Sequence, residues 1–521
     1  MSSSEPLSSP AAHPELRQRA ASGVLWSVAS SVAHQIAGLA IFAILARQLT
    51  PAEFGLMAMA SIALEIVSLV SRAGLIEVLV QRKDPTQAEM STAFWSSLAI
   101  GAAGSLLLWL AAGPIAAFFR MPEVRSVIRW LSLLLIINAA GTVHEALLRR
   151  AFGFRALAVR GVVATALGGL VAVAMATAGL GVASLIAQAL VGALAMLAIL
   201  WWLTRWTPSW SFERREFVRQ MRMGLTLCVS TLLATGNQKI VDIVIGRTLG
   251  AVPLGFMRVA WRGFDLLLDL GMRPVSGVSF SLLSRMQHDL SALGATYLRL
   301  VRLTAVIIYP IFLGAVVVAP EVIRIMFGSQ WEDSIRLMQV LALSVLSMPA
   351  IYFKSNALLA VGHARPVLWL NVVEFAVSFG IAIIFCQFGL VAAAWGNVVR
   401  VIVIVVPVFW ALRRHIGIRW TELLKALVPA AVCSALMLVG TVAARWILAP
   451  HVASVPLLLI VVSTGASIYA LALRLSYPHL LVEIVSFLPA PLRRLLEIAL
   501  ALRPAAEGED ASARRTATPN P

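Results

Sequence analysis

Arg47-Gln48-Leu49-Thr50-Pro51-Ala52-Glu53-Phe54-Gly55-Leu56-Met57-Ala58-Met59-Ala60 returns further along the chain as Arg247-Thr248-Leu249-Gly250-Ala251-Val252-Pro253-Leu254-Gly255-Phe256-Met257-Arg258-Val259-Ala260. Arg, Leu, Gly, Met and Ala fall at identical offsets, and each copy joins a first apolar run to a second. A looser echo pairs Gly179-Leu180 with Gly389-Leu390. Self-similarity at a fixed offset marks a duplicated architecture. An even number of apolar runs separates the copies, so the two halves have parallel topology. Their relating axis is then a pseudo-two-fold along the membrane normal.

Composition places the solvent around these halves. Of 521 residues, 60% are hydrophobic and 13% charged, against roughly 45–50% and about 25% in an ordinary soluble domain. Hydrocarbon surrounds most of this chain. Its 42 Lys and Arg exceed 25 Asp and Glu to give +17, and in a membrane protein such an excess gathers in cytoplasmic loops. Nucleic acid is therefore not the expected partner; the bilayer is. Cys228, Cys386 and Cys433 all lie within apolar runs, which excludes a disulfide framework and a zinc spacing. No Gly-Lys-Ser/Thr phosphate loop and no GxSxG elbow is present, so the sequence reads as a non-enzyme.

Apolar runs fit about fourteen transmembrane helices in an all-α polytopic protein. They fall near 22–46, 54–78, 91–119, 126–148, 156–178 and 181–204, then 221–246, 254–283, 298–319, 335–360, 367–388 and 389–412, with a last pair at 424–448 and 453–475. The expected organisation is a cytoplasmic tail over 1–21, an N-terminal six-helix lobe over 22–204 and a cytoplasmic linker over 205–220. A C-terminal six-helix lobe covers 221–412, the two extra helices lie within 413–475, and 476–521 forms an interfacial helix and a disordered tail. Trp201, Trp202, Trp206 and Trp210 read as an interfacial belt. With both termini inside, about 27 of the 42 basic residues fall in cytoplasmic segments and about 7 outside.

The eighth span carries the chemistry. Arg258, Arg262, Asp265, Asp269 and Arg273 stand at i, i+4, i+7, i+11 and i+15, within about 80° of one helix face. Each charge at bilayer depth costs roughly 2.5–3.5 kcal/mol, so the stripe must face protein or a water-filled cavity. It can be a self-neutralising ladder, with Arg262 on Asp265 and Asp269 on Arg273, or a substrate wall. Glu65 in the second span is the repeat counterpart of Asp265, with Arg72 and Glu77 nearby. The seventh span adds Asn237, Lys239 and Asp242. The tenth to twelfth add Lys354, Asn356, Glu374, Asn397 and Arg400. Basic groups predominate in the second half, which is therefore the expected anion-binding wall. His34 reads as a protonation site or as a neutral partner between helices.

Several local sequences resemble the polysaccharide-exporter branch of the multidrug/oligosaccharidyl-lipid/polysaccharide superfamily, with colanic-acid and O-antigen exporters among its members. They are Leu45 to Leu56, Leu79-Val80-Gln81-Arg82-Lys83, Ala93-Phe94-Trp95, Ala146 to Arg150 with Phe154 to Ala158, Gly246 to Gly250 with Leu254-Gly255, and Phe327-Gly328-Ser329-Gln330-Trp331. Members commonly carry Tyr after the second Leu-Gly, where this chain has Phe256. The resemblance implies a flippase that moves undecaprenyl-pyrophosphate-linked oligosaccharide across the bacterial inner membrane by alternating access. It also implies no cofactor beyond proton or sodium gradient coupling, and polymerase and synthesis machinery as partners. On that reading Arg258, Arg262, Lys239, Arg400, Arg273 and Lys354 line the substrate cavity, while Asp265, Asp269, Glu65, Asp242, Glu374 and His34 are available for ion coupling. A drug antiporter of the same superfamily and a non-catalytic assembly scaffold are the alternatives.

Overall fold

The computed structural model describes residues 32–72, 85–151, 154–478 and Leu480. The expected N-terminal tail, the start of the first span, the Leu79–Lys83 motif and the interfacial helix with its tail lie outside the described residues. The described helices are α1 (Val32–Gln48), α2 (Pro51–Arg72), α3 (Gln87–Phe119), α4 (Val124–Arg150), α5 (Phe154–Thr177), α6 (Val182–Thr204), α7 (Arg214–Thr248) and α8 (Ala251–Arg285). They continue as α9 (Leu290–Met326), α10 (Glu332–Leu343), α11 (Met348–Tyr352), α12 (Lys354–Ala360), α13 (Ala364–Cys386), α14 (Leu390–Ile416), α15 (Trp420–Leu448) and α16 (Ser454–Ser476).

No strand occurs among the described residues, as the apolar periodicity predicts. Eleven membrane-length apolar segments are found there, and Val32–Gln48 is a shorter one. Helices α7 and α8 occupy two further expected positions but are not among the eleven. Apolarity and length therefore support a multi-pass helical protein without fixing the count at fourteen.

Packing divides the chain into two compact units. The first holds the described residues up to Arg262 with Ile323–Leu337 and Leu368–Arg400; the second holds Gly263–Val322, Met338–Val367 and the described residues from Val401. In the first unit small residues let helix backbones touch, since lipid supplies no hydrophobic drive between helices. A Cβ at Gly101 of α3 would lie 2.8 Å from the Leu135 carbonyl of α4, and one at Gly168 of α5 would lie 2.7 Å from the Gln188 carbonyl of α6. Helix α3 begins in a capping box, with Thr86 Oγ1 accepting from Glu89 N and Glu89 Oε2 from Thr86 N. The connection ahead of α7 is shorter than the expected 205–220, because α7 starts at Arg214. Hydrogen bonds pin it along the first turns of α3: Ser209 N to Ser91 Oγ, Trp95 Nε1 to the Ser209 carbonyl, and Glu213 N to Thr92 Oγ1, each 2.9 Å. The tryptophans there divide between belt and core: Trp202 is exposed, whereas Trp206 packs edge-on against Phe94.

The second unit repairs its own helix breaks. Pro310 and Pro320 lie inside α9. A proline has no N–H and cannot bond the carbonyl four residues earlier, which here means Val306 and Val316. In hydrocarbon those oxygens need other donors. The Tyr469 hydroxyl of α16 donates to the Val306 carbonyl at 2.7 Å, and Gln339 Nε2 of α10 donates to the Val316 carbonyl at 2.8 Å. The expected span over 335–360 is found as one membrane-length segment, Ser329–Ala360, but its helix is interrupted into α10, a 3-10 turn (Ser344–Ser347), α11 and α12. Pro349 accounts for the first break, since it leaves the Val345 carbonyl without its helical donor. The Tyr309 hydroxyl donates to the Leu346 carbonyl at 2.5 Å and the Tyr297 hydroxyl to the Ala350 carbonyl at 2.7 Å, so the irregular backbone is stitched to α9. Outside the spans, Asp289 opens α9: the Ser291 hydroxyl and the N–H groups of Ser291 and Ala292 donate to its carboxylate, which holds it below its usual value.

Tyr469→Phe removes the Val306 donor while keeping the ring. It lowers stability by about 0.6–2 kcal/mol, read as a drop of a few degrees in the thermal midpoint of the detergent-solubilised protein. Tyr352→Phe, at an exposed position, leaves that midpoint unchanged.

Candidate functional site

The repeated segments meet in the first unit. Thr50, Pro51 and Glu53 start α2: Glu53 Oε2 accepts from Thr50 N at 2.7 Å, with Pro51 at the first helical position where an N–H has no partner to lose. Gly250, at φ +91°, ends α7, a conformation that L side chains resist. A Cβ at Gly55 would overlap the Ala251 carbonyl, and a Cβ at Gly255 would overlap the Pro51 carbonyl. Pro51 corresponds to Ala251 and Gly55 to Gly255, so the contact is reciprocal, which is what a two-fold relation between the copies generates.

Helix C-termini are exchanged beside this crossing. The last carbonyls of a helix lack intrahelical donors. Trp331 Nε1 donates to the Ala46 carbonyl at 2.8 Å and Gln330 Nε2 to the Leu49 carbonyl at 3.1 Å, while Arg47 donates in return to the Ile325 carbonyl at the end of α9. Phe42, Phe54 and Phe327 pack edge to face around these bonds, and Phe54 and Phe256 both meet the fully buried Trp331. Two sequence motifs quoted separately above thus form one structural knot.

Charged groups lie deeper along the same helices. Lys239 Nζ of α7 stands 2.9 Å from Glu65 Oε2 and 3.2 Å from Glu65 Oε1 of α2. A second group joins α7, α13 and α14. Arg400 donates to Asn397 Oδ1 from Nη2 at 2.8 Å and from Nε at 3.2 Å, and its Nη1 lies 3.9 Å from Glu374 Oε1. Ser378 Oγ is 2.6 Å from Asn237 Oδ1, which ties α7 into the network. Arg400 and Glu374 are 18% and 16% exposed, so each charge is largely withdrawn from solvent and held by its neighbours. Asp242 is buried on α7.

Arg258 and Arg262 differ from these. No hydrogen bond or ion pair joins either to another described residue. The Arg262 guanidinium lies over the Phe42 ring, 5.8 Å from its centroid, and Nη2 would be 3.7 Å from a Cβ at Gly38 of α1. Its Nε is buried without a partner. The Arg262–Asp265 rung of the expected ladder is therefore not made by Arg262. Asp265, Asp269, Glu374 and Lys354 have further partners among their interactions. Asp265, Asp269, Arg273 and Lys354 belong to the second unit, and the side chains of Arg273 and Arg72, like all of Glu77, lie outside what is described. His34 Nδ1 is hydrogen-bonded to Thr165 Oγ1 at 3.0 Å, linking α1 to α5. Sequence reasoning named Asn237, Glu374, Asn397 and Arg400 but missed Ser378, which joins them; a serine on an apolar helix face gave no separate signal.

These features define a multi-pass helical membrane protein. The chain belongs to the family described as "Polysaccharide biosynthesis protein", which it matches over residues 44–336. The succinoglycan biosynthesis transport protein ExoT of Rhizobium meliloti (strain 1021) is 30% identical over 61% of this chain and 65% of that protein, just under two thirds of its length. The lipopolysaccharide biosynthesis protein WzxC of Escherichia coli (strain K12) is 23% identical over 63% of this chain and 67% of its own. Among solved structures, the lipid II flippase MurJ in an inward closed conformation superposes with a TM-score of 0.71 at 11% identity, over 88% of this chain and 100% of that one. An inward-facing multidrug MATE transporter of the MOP superfamily gives 0.53 at 19% identity, over 77% and 96%. At such identities the likeness establishes the fold alone, and it is the fold that the repeat and the apolar runs predict.

Gly55→Ala and Gly255→Ala each force the α2–α8 crossing apart. The distance between spin labels at Gln48 and Val252 is expected to lengthen by about 2 Å or more, a Cβ requiring ordinary van der Waals separation; an unchanged distance would contradict the close approach. Exchange of the α2–α7 pair gives a second test. Lys239→Ala leaves a partly buried carboxylate at Glu65 without its partner and lowers the thermal midpoint of the solubilised protein, whereas the swapped pair Glu65→Lys/Lys239→Glu recovers at least part of the loss.

Proposed function

We propose that this protein is a transporter that moves a polyprenyl-pyrophosphate-linked oligosaccharide across the bacterial inner membrane, with both termini on the cytoplasmic side, by alternating access. Arg258 and Arg262 carry the reading: two guanidiniums one turn apart on a membrane helix, with no carboxylate partner among the described residues. An unpaired arginine at bilayer depth is costly. A pyrophosphate supplies the missing negative charge and accepts forked N–H donors from both side chains. Lys239 and Arg400 add positive charge in the same unit but arrive already paired with Glu65 and Glu374. They are suited to exchange partners when substrate enters, and the Glu65 carboxylate released by Lys239 can then take up a proton or a sodium ion. Asp242 and His34 lie in the same unit and remain candidates, while Arg273, Lys354, Asp265 and Asp269 remain candidates on the sequence reading alone. The oligosaccharide, too polar for hydrocarbon, travels inside the protein while the polyprenyl tail stays in lipid. The names of the relatives support a polysaccharide precursor as cargo, and a polymerase is the natural recipient of the product.

Arg258→Ala and Arg262→Ala, singly and together, test the assignment. Each single change is expected to lower surface polysaccharide at least tenfold, with the lipid-linked precursor accumulating on the cytoplasmic side at unchanged protein abundance. Export at the wild-type level in the double variant would falsify the role. Transport of a cationic dye in vesicles that survives both substitutions would favour the drug-antiporter reading instead.

A further inference from the structure

The α3–α4 hairpin carries a polar cleft that the transport pathway does not use. It has a volume of about 510 Å³ and lies where α3 ends and α4 begins, among Trp109, Arg125, Ser126, Arg129, Trp130 and Leu133. Arg125 and Arg129 are one helical turn apart and present both guanidiniums to one side. Arg129 is stacked on the Trp109 ring, 4.4 Å from its centroid, and its Nε is buried with no partner. Neither arginine makes a hydrogen bond or ion pair with another described residue. The Ser126 hydroxyl donates to the Glu123 carbonyl at 2.9 Å, so its oxygen keeps a free acceptor side but its proton is used. The aromatic walls stay open, Trp109 being 44% and Trp130 57% exposed. Down the hairpin from the cleft, Leu106 and Leu110 of α3 are exposed, and Leu133 of α4 continues the wall.

We infer that this cleft binds the phosphodiester headgroup of an anionic phospholipid, with Arg125 and Arg129 on the phosphate and an acyl chain along Leu133, Leu106 and Leu110. Charge complementarity selects an anion: two unpaired guanidiniums meet no carboxylate side chain among the cleft's lining residues. Position selects a lipid over a free anion. The indoles mark the boundary between headgroups and hydrocarbon, and the exposed leucines offer a track for a chain that a soluble phosphate lacks. The turn end of the hairpin is fixed locally, since Phe119 packs on Gly246 and Phe118 lies under Arg247, at the end of α7 where the repeated segments meet. The site is separate from Arg258 and Arg262, and the inference does not depend on what cargo those residues take.

Native mass spectrometry of the full-length protein released from detergent micelles, titrated with dioleoyl phosphatidylglycerol, tests this directly. Dioleoyl phosphatidylcholine and glycerol 3-phosphate are the comparison probes. Wild-type protein is expected to retain phosphatidylglycerol in preference to phosphatidylcholine, and to retain no glycerol 3-phosphate at the same concentration. A single basic group near a membrane surface strengthens anionic-lipid binding about fivefold, so Arg125→Gln should weaken it by about that factor and Arg125→Gln/Arg129→Gln by at least tenfold. Arg125 is exposed, so the single variant keeps the hairpin intact if the double variant does not fold. A phosphatidylglycerol affinity in the single variant equal to that of the wild type overturns the site. Equal binding of phosphatidylcholine overturns the charge argument, and equal binding of glycerol 3-phosphate overturns the lipid as the occupant.

Discussion

Two backbones that touch without side chains between them set the geometry of the first unit. Gly55 lies against the start of α8 and Gly255 against the start of α2, each closing on the residue that the repeat places opposite it. Any Cβ would push the helices apart, so the crossing is available to glycine alone. Everything near it depends on that approach. Trp331 and Gln330 reach the carbonyls that end α1, Arg47 reaches the carbonyl near the end of α9, and the buried aromatic cluster fills the remaining space. The helices leaving this crossing carry Glu65 and Arg262 to their places, one pairing with Lys239 and the other lying over Phe42.

Much of this fold is legible in the chain because the bilayer enforces it. A helix that must satisfy its own backbone in hydrocarbon announces itself as an apolar run, and a duplicated unit announces itself by offset. Gly55 and Gly255 were visible as repeat members, although only three-dimensional packing reveals that they face each other. The breaks within 335–360 were harder. Hydropathy averages over a window and smooths across Pro349, and the tyrosines that make the break tolerable come from a different helix. Helix α7 begins ahead of its apolar run: Arg214, Arg215 and Glu216 are polar yet helical, so charge marks the water boundary and not the helix end.

The candidate site was legible as a set of residues and not as a set of contacts. Depth and helical spacing singled out Glu65, Lys239, Glu374 and Arg400, because a charge inside an apolar run is conspicuous. Spacing along α8 also suggested that Arg262 would be neutralised on its own helix, and it finds an aromatic face instead. Partners supplied from distant segments leave no local trace. The α3–α4 cleft makes the same point: Arg129 is a single charge in an apolar run, and its meaning depends on Trp109, which stands on the preceding helix.

The proline-freed carbonyls of α9 add a dimension of time. A ribosome delivers helices to the bilayer in order, so α9 enters with the Val306 oxygen open and it stays open until α16 brings the Tyr469 hydroxyl. Val316 waits a shorter interval, for Gln339. The second unit is therefore assembled in reverse dependency, its early helix finished by a late one. A chain that ends before Tyr469 lacks the donor that closes the polar gap Pro310 opens in α9.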